Sequence, residues 1–313
     1  MTSPEFPLHI DSTMISCFRS CPQKFFNEFC LGLRPTRVSV DLHAGACFAT
    51  GIETIRKAFY IEHLSVNDAL KKGFAAYLTA WGDFEPMTDT PKTRERVWEA
   101  LETYFLSWYP PATDHIQPQA ERGKDGFEFT FGIPLEPNPG KTYSEGFPEH
   151  PSGQPFIYSG RFDMLGTWSG RLIIVDEKTT KSIGSTWSEQ WDLRSQFMGY
   201  CWACQQSGLQ VDHVAVRGIG ILKTKLTPAE AIKQYSASSI ARWHEQLRRD
   251  LWRIRQAWDE QYWDFNLADS CTSYGGCSFR DLCASPDPSR WYSNFVVRRW
   301  NPLHKNPIDE TAS

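Results

Sequence analysis

The sequence predicts a mixed α/β fold, a sheet flanked by helices, because helical and strand patterns follow each other along the chain. Helical spacing of apolar residues fills the first third. From Gly126 onwards, Phe127, Phe129 and Phe131 alternate with polar or small residues, which is the pattern of a half-buried strand. We expect further strands over 157–168, 171–178 and 214–223, and helices over 187–204 and 236–262.

Four helices are expected before the first strand. The first begins at an N-cap formed by Ser12 or Thr13 and ends at Gly32. The other three are expected over 44–63, 66–81 and 93–108. Later in the chain, Ser169-Gly170 predicts a tight turn between two strands, and the residues 134–155, rich in Pro, Gly and Ser, predict a long loop.

Composition and charge limit where this chain acts. Its 313 residues carry a net charge of -4, so attraction to nucleic acid needs a local basic patch or a bound metal ion. One basic patch is present, although a solvated helix face would have the same composition: Arg242, Arg248, Arg249, Arg253 and Arg255. The first residues lack the pattern of a secretory signal, and no apolar run is long enough to span a bilayer. We therefore expect a cytoplasmic protein without a membrane partner, in which cysteines stay reduced.

Two carboxylates and a lysine are predicted to meet at one end of the sheet. Asp176 and Lys178 are two residues apart on one strand and share a face, and Asp163 lies beside Asp176 on the preceding strand. Such oxygen ligands bind Mg²⁺ or Mn²⁺, and the lysine can orient a water for phosphodiester hydrolysis. A surface hairpin with an Asp–Lys ion pair is the alternative. The apolar run Leu172–Val175 favours a buried strand that ends in an active site.

A second pair of polar residues follows on the next helix. Gln196 and Tyr200 are about one turn apart and share a helical face, from which both can hydrogen-bond to phosphate or steady the lysine. An ordinary amphipathic helix is the alternative. Nearby aromatic residues can stack on unpaired bases, although such residues are more often in the core: Trp187, Trp191 and Phe197.

In order and spacing, three motifs resemble the RecB-like branch of the PD-(D/E)XK nuclease superfamily, including its phage-encoded members: Gly160-x-x-Asp163, Asp176-x-Lys178-Thr179 and Gln196-x-x-x-Tyr200. The resemblance implies a restriction-endonuclease-like core. It also implies that Asp163 and Asp176 bind Mg²⁺ or Mn²⁺ and that Lys178 is the catalytic lysine. Gln196 and Tyr200 would support the site and the DNA. A phage-encoded protein would act in the cytoplasm of a bacterial host.

Many members of that branch carry a histidine on an early helix, in a motif of the form Gly-x-x-x-His-x-x-x-Glu. The matching stretch here runs from Gly45 to Glu53, with Ala49 at the histidine position. The resemblance therefore implies Glu53 as a further metal ligand. His43 is out of register with the motif, and we interpret it as a surface or structural residue.

Four of the nine cysteines form a second candidate metal site. Cys271, Cys277 and Cys283 are evenly spaced, and thiolates suit an iron–sulfur cluster or zinc. Together with Cys21, which precedes a proline, they resemble the iron–sulfur staple of RecB-like nucleases of the AddB type. This resemblance implies a 4Fe-4S cluster, and Zn²⁺ on the same cysteines is the alternative. The other cysteines are predicted to be core residues: Cys17, Cys30, Cys47, Cys201 and Cys204.

We accordingly divide one integrated domain into a helical part with the first cluster cysteine (1–120), a nuclease core (121–240), a C-terminal helix with the three-cysteine segment (241–290) and a tail (291–313). The expected activity is that of a Mg²⁺- or Mn²⁺-dependent deoxyribonuclease, an exonuclease on single-stranded DNA or duplex ends, in recombination, repair or replication. A recombination or replication protein is the expected partner. A non-catalytic DNA-binding scaffold on a decayed nuclease fold is the alternative. A redox protein would leave the carboxylates and lysine without a purpose.

Overall fold

The structure, a computed structural model, describes residues 3–86, 89–108, 114–138, 146–267, 269–272 and 276–304. The chain forms two compact units. Unit 1 comprises Met1–Arg37, Thr130–Arg161 and Ser238–Ser313, and unit 2 comprises Val38–Phe129 and Phe162–Ala237. Each unit is assembled from segments that are distant in sequence. The fourfold division of the sequence into 1–120, 121–240, 241–290 and 291–313 stays a prediction.

Helices and strands alternate as expected for an α/β protein. The helices are α1 (Ser12–Ser20), α2 (Pro22–Phe25), α3 (Val40–Arg56), α4 (Val66–Trp81), α5 (Arg94–Trp108), α6 (Ser195–Gln206), α7 (Ala237–Asp259) and α8 (Arg280–Ala284). The strands are β1 (His9–Ile10), β2 (Leu33–Pro35), β3 (Ile116–Pro118), β4 (Phe127–Leu135), β5 (Phe156–Trp168), β6 (Arg171–Thr180), β7 (Val211–Ile221), β8 (Leu226–Gln234) and β9 (Phe295–Val297). Within the described ranges, no helix combines the length and apolar character needed to cross a bilayer.

The sheet of unit 2 is mixed, which confirms the predicted fold class. Strand β6 runs antiparallel to β5 and parallel to β7, and β8 runs antiparallel to β7. Strand β3 pairs with the second half of β5. The turn between β5 and β6 lies at Ser169-Gly170, as predicted. Both residues have positive φ angles, 50° and 76°, which a two-residue turn between twisted strands requires.

Helices α3, α4 and α5 form the helical layer of unit 2. Their buried apolar residues make one cluster with Ile219 and Ile221 of β7. Helix α4 has the predicted bounds, and the side chain of Ser65 caps it by accepting a hydrogen bond from the Asp68 backbone N–H at 3.2 Å. Helix α3 begins four residues before the predicted start at 44, because Ser39 caps it in the same way.

Unit 1 begins with a helix that is capped one residue before the predicted positions. Asp11, and not Ser12 or Thr13, is the N-cap of α1. Its backbone is extended, and its Oδ1 atom accepts a hydrogen bond from the Met14 backbone N–H at 2.8 Å. The prediction of the cap was therefore wrong, although the helix starts where it was expected.

The helix predicted to continue to Gly32 is interrupted at Cys21, which has an extended backbone with φ of −164°. The next residue is Pro22, and proline disfavours a helical conformation in the residue before it. The chain resumes as α2, with Pro22 at its first position, and then forms a π-helical turn over Phe26–Cys30. The break places Cys21 at the junction of two helices.

The last described residues of the chain also belong to unit 1. A 3₁₀-helix over Pro288–Asn294 leads into β9, which pairs antiparallel with β2. Beyond β9, the Arg299 guanidinium donates hydrogen bonds to the backbone carbonyls of Cys30 and Ser3. The sequence carried no pattern that predicted this packing.

Two further segments differ from the prediction. Strand β8 was not predicted, because its sequence lacks strict alternation and contains Pro228, a residue that sheets tolerate at their edges. In the predicted loop over 134–155, β4 extends to Leu135, and short bridges link Pro137 to Phe147 and Glu149 to Pro155. Residues 139–145 of that loop lie outside the described residues.

Candidate active site

The two carboxylates and the lysine predicted for the active site lie together in unit 2. Met164 of β5 is the register partner of Val175 of β6, so Asp163 and Asp176 follow at the adjacent position on each strand. Asp163 Oδ2 accepts a hydrogen bond from the Glu177 backbone N–H at 2.6 Å. Lys178 Nζ forms an ion pair with Asp176 Oδ2. The sheet thus places two acidic groups and one ammonium at one site.

Burial and charge both act on Asp176, which is 3% exposed. Burial raises the pKa of this carboxyl to about 6, and the nearby Asp163 charge acts in the same direction. Lys178 and Arg194 oppose that rise in pKa, because a neighbouring positive charge stabilises the carboxylate. A bound cation would balance the negative charge of these two neighbouring carboxylates.

The donor set suits Mg²⁺ in particular. Among the described residues, no three His, Cys, Asp or Glu side chains are arranged to hold a metal ion. Mg²⁺ rarely needs such a cage, because it is usually held by one or two carboxylates and completes its octahedron with water and substrate oxygens. Asp163 and Asp176 would supply the two carboxylates.

Glu177 lies on the opposite side of β6 from Asp176 and Lys178, as the alternation of the strand predicts. Its carboxylate forms a buried ion pair with Arg56 and accepts a hydrogen bond from the Tyr104 hydroxyl. Burial raises its pKa to about 7, against the effect of Arg56. Glu177 therefore joins β6 to helices α3 and α5 and does not face the candidate site.

The first turn of α6 lies beside the lysine. Gln196 Nε2 donates a hydrogen bond to Tyr200 Oη at 2.8 Å, so these two side chains share a face as predicted. Lys178 Nζ lies 5.9 Å from the centre of the Phe197 ring. Tyr200 is buried, and its ring lies 5.7 Å from that of Phe162, the neighbour of Asp163. The catalytic roles of Gln196 and Tyr200 stay predictions.

The aromatic residues near α6 are core residues. Trp187, Trp191 and Phe197 are all buried. Trp187 packs against Gly218, the register partner of Lys178, where an added Cβ would lie only 2.5 Å from the indole ring. Their packing supports the core interpretation over base stacking and fixes the segment that precedes α6.

The early helix contributes a different set of contacts. Glu53 is buried and forms an ion pair with Lys57, with Nζ and Oε1 3.0 Å apart. A Cβ at Gly45 would lie 3.7 Å from Thr179 Oγ1, so the first half of α3 borders the end of β6. His43 is structural, since its ring stacks on Phe84 with centroids 3.9 Å apart. Glu53 as a metal ligand stays a prediction.

The four cysteines of the second candidate site are all in unit 1. Burial raises the pKa of Cys283 to about 11, and the charges of Cys277, Cys21 and Cys271 act in the same direction. The side chains of Asn266 and Ser270 donate hydrogen bonds to the carbonyl of Ser20, at 2.7 and 3.0 Å. These bonds tie the C-terminal cysteine segment to the residue before Cys21. Thiolates are the ligands that iron–sulfur clusters and zinc prefer, and a metal centre on these four cysteines stays a prediction.

The remaining cysteines are buried, which confirms that they are core residues: Cys17, Cys30, Cys47, Cys201 and Cys204. Burial raises the pKa of each of these thiols.

The predicted basic patch on α7 is largely neutralised. Arg248 and Arg249 both pair with Glu245, Arg255 pairs with Asp259, and Arg253 lies 3.9 Å from Asp250. These pairs are one helical turn apart, as is usual on a solvated helix face. The patch is thus better explained by helix-surface ion pairs than by contacts with nucleic acid.

Comparison with known proteins shows the family of this chain. The sequence profile of the PD-(D/E)XK nuclease superfamily matches residues 12–284. The chain belongs to the PD-(D/E)XK nuclease superfamily. No curated protein matches this PD-(D/E)XK chain. It is similar to the crystal structure of a "putative exonuclease" from Eubacterium rectale, with a TM-score of 0.50 and 12% sequence identity over 88% of this chain and 93% of that one. The crystal structure of SSO0001 matches with a TM-score of 0.26 and 12% identity, over 66% of this chain and 73% of that one.

Proposed function

We propose that the chain is a Mg²⁺- or Mn²⁺-dependent deoxyribonuclease, an exonuclease that acts on single-stranded DNA or duplex ends in recombination, repair or replication. The observation that carries this proposal is the meeting of Asp163, Asp176 and Lys178 on two neighbouring strands, β5 and β6. Membership of a nuclease superfamily supports the hydrolytic reaction. The name of the Eubacterium rectale protein motivates the choice of exonuclease.

In this mechanism, side chains of β5 and β6 bind the metal ion and orient the attacking water. Asp163 and Asp176 would hold the divalent ion, which when bound would stabilise the negative charge that develops on the phosphate. Lys178, which forms an ion pair with Asp176, would orient the attacking water towards the phosphorus. The hydrogen bond between Gln196 and Tyr200 would fix the amide group next to the lysine.

We also propose a 4Fe-4S cluster on Cys21, Cys271, Cys277 and Cys283, of the kind found in RecB-like, AddB-type and phage-encoded relatives. The cluster would join the α1–α2 junction to the C-terminal cysteine segment within unit 1 and would serve folding rather than redox chemistry. Zn²⁺ on the same thiols is the alternative. A cytoplasmic location, in a bacterial host for a phage protein, would keep these thiols reduced before the metal is bound.

A cleavage assay tests the nuclease. Anaerobically purified protein is incubated with single-stranded, duplex and circular DNA in Mg²⁺, Mn²⁺ or EDTA, beside Lys178→Ala. We expect cleavage of the linear DNA in either metal and none in EDTA. Cleavage should be reduced by about 10²–10⁴-fold in the variant, which is the usual contribution of a positioned proton-transfer or orienting group.

Lys71→Ala is the matched control, because Lys71 is an exposed lysine of unit 2 on α4 and pairs with Asp68. It should cleave like the wild type. Binding of DNA without cleavage in any metal would favour the scaffold alternative, and unchanged cleavage by Lys178→Ala would remove the proposed role of this lysine. Cleavage of circular DNA would contradict the assignment as an exonuclease.

A further inference from the structure

Arg194 lies at the start of α6, the helix whose first turn borders Lys178. It is the N-cap residue of this helix, and its guanidinium lies 5.8 Å from the centre of the Trp191 ring. Three residues later, Phe197 faces Lys178 Nζ. The side chain therefore belongs to the surroundings of the candidate active site.

The backbone that carries Arg194 is held firmly. The Tyr235 hydroxyl donates a hydrogen bond to the Trp191 carbonyl, and Asp192 pairs with Lys233, with Oδ1 and Nζ 2.6 Å apart. Trp191 and Trp187 are buried against each other, with ring centroids 5.6 Å apart. A cation carried by a fixed backbone loses less conformational entropy when it binds a ligand than a cation on a mobile loop.

The guanidinium of Arg194 forms no ion pair within the described part of the chain. It is exposed, and none of the carboxylates in the described part of the chain lies within 4.0 Å of its guanidinium. By contrast, Arg56 and Arg217 of the same unit are buried and paired with Glu177 and Asp114. An exposed, unpaired guanidinium beside an anionic catalytic group is available for an anion that the substrate brings.

We propose that Arg194 binds a backbone phosphate of a polynucleotide strand, and that it thereby places the neighbouring phosphodiester over Asp163, Asp176 and Lys178. The inference rests on the proposed nuclease function and adds a substrate-binding residue to it. Guanidinium is suited to this task because its planar fork can donate two parallel hydrogen bonds to one phosphate. Lys178 cannot fill the same place, since its ammonium is engaged by Asp176.

DNA binding is measured in a Lys178→Ala background, so that the DNA stays intact in Mg²⁺, which a gel verifies. The probe is a fluorescein-labelled single-stranded 20-mer, and anisotropy is recorded at several salt concentrations. Adding Arg194→Ala should weaken binding about 5- to 50-fold, the usual effect of losing a charge-assisted hydrogen-bonded contact. The slope of log Kd against log salt should fall by about 0.7, the value for one phosphate contact on a single strand.

Two further variants separate charge from structure. Arg194→Lys should keep the salt slope of its parent and lose part of the affinity, because it retains the charge but not the planar fork. Arg171→Ala removes another exposed arginine of unit 2, at the opposite end of β6, and should leave both quantities unchanged.

An unchanged affinity and slope in Arg194→Ala would overturn the role of Arg194 and leave the nuclease untouched. The same result follows if Arg194→Lys loses the slope as fully as Arg194→Ala does, because the effect would then be structural. If the wild type binds DNA but never cleaves it, the nuclease proposal fails while the Arg194 comparison still stands. If the wild type does not bind DNA at all, both proposals fail.

Discussion

Asp11 is a single carboxylate on which burial and hydrogen bonding have opposite effects. Its Oδ1 atom caps α1, and its Oδ2 atom accepts a hydrogen bond from Trp300 Nε1 at 2.8 Å. Burial nevertheless dominates and raises the pKa of this carboxyl to about 6. The folded protein therefore holds the Asp11 proton more tightly than the unfolded chain does.

The raised pKa predicts how stability depends on pH. A group whose folded pKa lies above its unfolded pKa contributes most at low pH, and that contribution is lost as pH rises through the folded pKa. From about pH 4 to pH 6, the free energy of unfolding should fall by about 2 kcal/mol more in the wild type than in Asp11→Ser, which keeps a capping oxygen but cannot titrate. Denaturant unfolding followed by tryptophan fluorescence measures this difference. Parallel curves for the two proteins would contradict the prediction.

At this scale the sequence predicts residues whose role follows from periodicity. Asp163, Asp176 and Lys178 were found because strand alternation fixes which side chains share a face. The helix cap was misplaced because three adjacent residues can all cap, and a hydrogen bond to Asp11 from the distant Trp300 favours one of them. Arg194 was missed because an exposed arginine has no periodic pattern, although its position two residues before Gln196 could have indicated it.

Strand β6 has a different function on each of its faces. Asp176 and Lys178 form the candidate active site on one face, and Glu177 binds Arg56 of α3 and Tyr104 of α5 on the other. The Arg56 side chain is only 1% exposed. The buried pair thus ties two helices to the strand that carries the candidate catalytic residues.

Breaking this pair on one side should be costly. Arg56→Met leaves the Glu177 carboxylate buried without its cation, so the free energy of unfolding should fall by about 3–5 kcal/mol. The double variant Arg56→Met/Glu177→Gln removes both charges and keeps an acceptor for the Tyr104 hydroxyl, so it should recover much of that loss. Urea unfolding of the two variants and the wild type tests this. A loss of less than about 1 kcal/mol in the single variant would show that water reaches Glu177 and that the pair is not dry.

Elements with their own local signals were predicted well, and those set by distant contacts were not. Helix α4 has the predicted bounds because Ser65 caps it and its apolar residues keep the helical period. Strand β8 is stabilised by its pairing with β7, and strand β9 by its pairing with β2. Neither pairing leaves a pattern in the short segments themselves, since the information lies in a strand elsewhere in the chain.

The proposed metal cluster belongs to the scale of the whole molecule, because its four candidate cysteines lie far apart in the sequence. Protein purified anaerobically should absorb in the violet region and contain about four iron atoms per chain. Cys271→Ser should lose the iron and unfold at a lower temperature, because a structural metal site contributes folding free energy directly. Cys204→Ser, at a buried core cysteine, is the control and should keep the iron. Zinc in place of iron would contradict the cluster but not the four-cysteine site.

The segmented make-up of unit 1 has a consequence for synthesis. Arg19 binds Asp250, which is 231 positions further along the chain, and Arg299 reaches the carbonyl of Ser3 across 296 positions. At about 5–20 residues per second, a ribosome needs roughly 10–50 s to connect the first of these pairs. During that interval the rest of unit 1 has not yet been synthesised. The side chains of Met14, Ile15 and Phe18, which are buried in the folded protein, therefore lack part of the unit that packs around them. The first helix can therefore make its contact with Asp250 only after most of this sequence has been synthesised.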